Sequence, residues 1–108
     1  MSSHTAIIAR DTVQPEALRA FADVYFPKIA EFLESVGANP KAARIYYFGS
    51  GEVGAGFALD DADLPMVEPL IGDIGDPLVQ LVPISDEAGE NVEAGGTGVR
   101  VEEYTGDL

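Results

Sequence analysis

Few side chains in this sequence are able to do chemistry. His4 is the one histidine, and the imidazole is the side chain whose unperturbed pKa lies near neutrality, which makes His4 the candidate general base. Arg10 and Arg44 offer planar guanidinium forks that hold a carboxylate or an enolate through paired hydrogen bonds. Tyr25, Tyr46 and Tyr47 each carry a polar tip on an apolar ring, and with Phe48 they would wall a pocket for a flat aromatic molecule. The catalytic candidates are therefore His4, Arg44 and Tyr46, with Arg10, Tyr25, Tyr47 and Phe48 as substrate contacts. Each also has a plainer reading. His4 lies near a fraying terminus, the arginines suit surface carboxylates, and the aromatic residues suit an ordinary core.

Much other chemistry is excluded. Cysteine is absent, which removes disulfides, thiolate metal sites and thiol nucleophiles. Asp60-Asp61-Ala62-Asp63 and Asp73-Ile74-Gly75-Asp76 do not follow the ligand order of a calcium loop, and the first cluster reads as a helix cap. Gly49-Ser50-Gly51-Glu52 joins two strands and so has no helix behind its serine, and Gly95-Gly96-Thr97-Gly98 lacks the lysine of a phosphate loop. No metal and no cofactor is expected. The formal charge of −13 repels phosphate backbones and anionic bilayers, so neither nucleic acid nor membrane is an expected partner. With no basic leader and no apolar run of membrane length near Met1, the expected location is the cytoplasm.

The charge is also skewed. Thirteen of the nineteen acids lie in residues 60–108, against Arg100 as the single base there. A high-salt proteome would spread acid over every surface, so solubility or a cationic partner for the acidic half explains the skew better.

These residues need elements to place them. A chain of 108 residues with 46% hydrophobic side chains has room for one core. Thr5–Arg10 has the length and composition of a strand. Pro15 suits a first helical position, and Leu18, Phe21, Ala22, Tyr25, Ile29, Phe32, Leu33 and Val36 follow helical spacing up to Gly37, with Asn39-Pro40 as a stop. Pro27 inside that helix predicts a kink or a break. Ala43–Phe48 and Val53–Leu59 read as a hairpin, with Tyr46 and Phe48 on one face and Ile45 and Tyr47 on the other. Gly54, Gly56 and Ala58 leave one face of the second strand bare, as though a helix, a partner or a ligand fills it. A short, irregular helix follows over 64–74, then a strand over 78–84 whose Pro83 belongs at an edge or an end. Residues 1–85 are expected to form a single α+β domain, and 86–108 an acidic, Gly-rich loop with a short C-terminal strand.

The order β-α-β-β-α-β predicts a ferredoxin-like split βαβ sandwich, an antiparallel sheet with two helices on one face. Its uncovered face calls for a second copy, so a homodimer is expected. With the aromatic-Pro junction Val24-Tyr25-Phe26-Pro27-Lys28-Ile29 and the hairpin strand Arg44-Ile45-Tyr46-Tyr47-Phe48, residues 4–85 resemble the dimeric α+β barrel superfamily. That family includes cofactor-independent monooxygenases, polyketide cyclases, muconolactone-isomerase-like enzymes and haem-degrading enzymes. The absence of tryptophan and the single histidine leave the haem-degrading and Trp-dependent patterns nothing to map onto. The resemblance implies a small-molecule-binding homodimer with its cavity between sheet and helices. It implies cofactor-independent cyclase, isomerase or monooxygenase chemistry on an aromatic or enolisable substrate. Arg10 or Arg44 would then steady an enolate while a tyrosine or His4 moves the proton. The alternative is a non-catalytic ligand carrier, or an interaction module using the acidic C-terminal half.

Overall fold

The computed structural model describes residues 3–39, 43–49, 51–87, 90–93 and 98–104. Pro40 and the Gly95-Gly96-Thr97 run lie outside the described residues. The chain is an α+β protein whose antiparallel strands close into a barrel in the order β1-β3-β2-β6-β5-β4. Five strands have six to nine residues: β1 (Ser3–Asp11), β2 (Ala43–Phe48), β3 (Val53–Leu59), β4 (Val79–Glu87) and β6 (Gly98–Glu103). A four-residue strand, β5 (Glu90–Glu93), pairs with β4 and β6 and completes the ring.

This closure corrects the expected order. The chain does not stop at β-α-β-β-α-β but adds β5 and β6, and β6 pairs with β2 from Arg44 to Phe48. The boundary expected at residue 85 thus falls inside β4. The face that called for a second copy is turned inward, which removes the argument on which the homodimer rested. The α+β class, the antiparallel sheet and the two helices remain compatible with a ferredoxin-like fold.

Helix α1 (Leu18–Ser35) follows a three-ten turn, Pro15–Ala17, that starts on the expected proline. It packs Leu18, Ala22, Phe26, Ile29 and Leu33 against the outside of the sheet, where they meet Ile7, Ala9, Ile45, Ala55 and Phe57. Burying a large aliphatic or aromatic side chain contributes about 2 kcal/mol, so Phe26 and Ile29 together outweigh the roughly 3 kcal/mol that a proline costs between them. The exposed Pro27 accordingly does not break the helix. The helix ends with Gly37 at φ 83°. Gly37 N–H donates to Glu34 O at 3.2 Å and Ala38 N–H to Leu33 O at 2.9 Å, a Schellman closure in which buried Ala38 joins the same core as Leu33.

Helix α2 (Leu64–Val67) is one turn long and continues as a three-ten segment, Glu68–Ile74, that ends at the left-handed Gly75. Asp63 stands at its N-cap without making a side-chain cap bond. Its carboxylate instead accepts Asn39 N–H at 3.4 Å, so the predicted capping role is not the one it fills.

β3 is buried along its whole length because it lies between two cores. Val53, Ala55, Phe57 and Leu59 face the helices. Gly54, Gly56 and Ala58 alternate with them and face the barrel interior. Among the described residues the bare face is filled by neither helix nor partner but by the barrel's own side chains. A β-carbon on Gly54 would meet Ile8 and Phe48, and one on Gly56 would run into the backbone of Ile7 and Ile8. Strand β4 passes Pro83 without stopping, and β5 pairs only from Ile84 onward.

Candidate functional site

The two faces of the sheet divide the candidate residues. Ala6, Ile8, Tyr46, Phe48, Val82, Ile84 and Val99 form an inner core, with Val101 packed against it. Strand alternation puts His4 and Arg10 inward beside Ala6 and Ile8, and Arg44 inward beside Tyr46. Between the sheet and the helices lies a buried apolar core. Polar candidates gather inside the barrel.

β1 and β2 both run antiparallel to β3 and hence parallel to each other. Their first inward residues, His4 and Arg44, therefore reach one mouth, and their last, Arg10 and Phe48, reach the other. At the first mouth His4 Nε2 lies 3.2 Å from the Tyr46 hydroxyl oxygen, with the rings 6.1 Å apart. This contact joins β1 to β2, which are not neighbours in the sheet. Tyr46 is fully buried, while His4 and Arg44 are half-buried. Burial, helped by the Arg44 charge, holds the His4 imidazole below its ordinary value of 6.5. Burial raises the Tyr46 phenol, and the Arg44 charge and hydrogen bond pull it partly back. At neutral pH the mouth thus holds a neutral imidazole and a neutral phenol beside one guanidinium.

At the second mouth Arg10 is committed to its neighbours. Its guanidinium carbon lies 3.8 Å from the centre of the Phe48 ring, and its Nε and a terminal nitrogen both lie 3.2 Å from one Glu52 oxygen. This is the plainer reading of Arg10, a stacked and ion-paired arginine that closes the barrel end.

Tyr25 and Tyr47 lie on the outside, and among the described residues their rings do not touch each other. Tyr25 packs its ring at a tilt against Phe21, with the centroids 4.8 Å apart, and donates to Asp76 Oδ2 at 2.8 Å. Lys28 Nζ donates to the same oxygen at 3.0 Å, and Leu78 N–H to Oδ1 at 2.9 Å. Burial and the Asp76 carboxylate push the Tyr25 phenol up to about 12. The Leu78, Tyr25 and Lys28 donors hold Asp76 below its ordinary 3.8. Tyr25 therefore ties α1 to the start of β4. Tyr47 carries the Arg100 guanidinium 4.3 Å above its ring. From the sheet side, Phe26 of α1 meets Phe57 of β3 at 5.8 Å and Tyr104, the residue that follows β6. The Tyr104 ring lies 4.5 Å from Phe26, and its hydroxyl donates to Asp23 at 2.9 Å.

A separate open cavity of about 270 Å³ lies between α1 and the three-ten segment, lined by Lys28, Glu31, Phe32, Ser35, Asp73 and Ile74. Its lysine is held by Asp76 and its serine by the Phe32 carbonyl. No group of histidine and carboxylate side chains able to hold a metal occurs among the described residues, and none of their helices is long and apolar enough to cross a membrane. The chain matches no protein-family model, no curated protein and no solved structure.

Proposed function

We propose that this protein binds a small, largely apolar molecule at the mouth formed by His4, Arg44 and Tyr46, and moves a proton on it without a cofactor. The observation that carries this reading is the 3.2 Å contact between His4 and Tyr46, set beside an arginine that acts electrostatically on both. A neutral imidazole can take a proton from a carbon acid, a guanidinium can neutralise the resulting enolate oxygen, and a neutral phenol can deliver a proton. His4, half in solvent, can then exchange protons between buried Tyr46 and water. All three groups come from one chain, so the reading requires no second copy.

Phenylpyruvate, which is aromatic and enolisable, serves as the probe. Exchange of its α-hydrogens in deuterated water is followed by proton NMR, and wild type should accelerate it. Tyr46→Phe should retain binding and lose roughly 100-fold of the acceleration, the ordinary contribution of a positioned acid or base. Binding with no acceleration in wild type would make the protein a ligand carrier. No binding across a panel of aromatic keto acids would overturn the reading.

A further inference from the structure

The two mouths of the barrel differ in what their arginines face. Arg10 has Glu52 and the Phe48 ring. Among the described residues no carboxylate lies within ion-pair distance of Arg44. Even Glu103, opposite Arg44 in the β2–β6 register, is exposed and does not reach it. His4 and Tyr46, which face Arg44, are neutral at neutral pH. Among the described side chains the first mouth therefore presents one permanent positive charge, two uncharged hydrogen-bonding groups and an apolar lining that includes Ile84 and Val101.

The form of the charge matters as much as its sign. A guanidinium is a planar fork, which a planar, delocalised anion matches through two parallel hydrogen bonds and a tetrahedral or bulky anion matches less well. The whole molecule carries −13. Its long-range field opposes every negative charge on a ligand beyond the one that Arg44 can answer. The interior behind the mouth is already occupied by Ile8, Tyr46 and Phe48, so a ligand rests in the mouth rather than passing through the barrel.

Resting on the reading that this mouth binds small molecules, we propose that its ligand class is a planar monoanion, a carboxylate or an enolate, on a single small apolar body. Dianions and phosphate esters are rejected. Arg44 is the residue that sets the charge, and the His4–Tyr46 pair accepts the uncharged part of the headgroup.

Three probes built on one benzene ring test this: benzoate, the neutral benzamide of the same shape, and the dianion phthalate with a second carboxylate, each titrated by ligand-observed NMR at low salt. Benzoate should bind at least tenfold more tightly than benzamide, and phthalate more weakly than benzoate. Arg44→Gln should erase the advantage of benzoate over benzamide without changing the far-UV circular dichroism. Arg44→Lys keeps the charge without the fork and should retain part of that advantage, which provides a folded comparison if Arg44→Gln does not fold. Benzamide binding as tightly as benzoate, or phthalate binding more tightly, would overturn the monoanion class while leaving a small-molecule mouth in place. No binding by any of the three would remove the mouth itself, and the monoanion proposal with it.

Discussion

A single hydrogen-bonded pair, His4 and Tyr46, connects two strands that are not neighbours in the sheet, and its energetics are open to titration. The folded His4 imidazole holds its proton less tightly than the unfolded one. Between the lowered folded value and the ordinary 6.5, the unfolded state therefore binds more protons. Stability should then fall as pH drops through that window and level off below it. Denaturant melts of wild type and His4→Gln over this range check the sign, since the variant should lose the slope. Tyr25 behaves oppositely. Its phenol keeps its proton to about 12 in the fold, so stability should decline as pH rises from the ordinary value toward that point, and Tyr25→Phe should flatten this limb. Both pairs combine residues far apart in the chain. Strand parity placed His4 and Arg10 together and Tyr46 with Phe48, yet no spacing rule tells which of two parallel strands an inward side chain will touch. Tyr25 was read as a pocket wall for the same reason. Its partner Asp76 belongs in the sequence to a carboxylate cluster without the ligand order of a calcium loop, and only the tertiary fold brings the two together.

Among the elements, α1 and the β2–β3 hairpin were legible because their signals are local: apolar residues at helical spacing, a left-handed glycine at the end, and alternation on either side of a glycine turn. The role of the bare face of β3 was not legible. Glycine at 54 and 56 allowed several fillers, and the choice of the barrel's own Ile8 and Phe48 depends on curvature that no local pattern encodes. That curvature makes a prediction. Gly56→Ala would drive a methyl group into the β1 backbone and should destabilise by more than the roughly 1–3 kcal/mol of ordinary overpacking, whereas Ala58→Gly should cost only about 1 kcal/mol. Thermal or denaturant melts of the two variants should rank them in that order. At the end of α1, Gly37→Ala forces an L residue to φ 83° and should cost on the order of 1 kcal/mol without altering the fold.

At the scale of the molecule, β5 and β6 decide the architecture. β5 lies in the acidic C-terminal part where charge and glycine content read as loop chemistry, whereas β6 falls at the short C-terminal strand expected there and finds its partner in β2 about half the chain away. Long-range pairing of this kind leaves little trace in local sequence, which explains why an open sheet and a second copy were expected. Removing residues 98–108 should open the barrel beside Tyr46 and Phe48 and expose the inner core. The shortened chain should bind a hydrophobic dye and unfold with reduced cooperativity, and an unchanged melt would mean that β6 closes nothing. The most direct test of the functional mouth uses the single histidine, whose imidazole nitrogens give one unambiguous set of NMR signals. Titrating benzoate into ¹⁵N-labelled protein should move the His4 resonances saturably in wild type and leave them still in Arg44→Gln. A His4 that ignores benzoate and titrates at the ordinary 6.5 would contradict both its place beside Tyr46 and the site built on it.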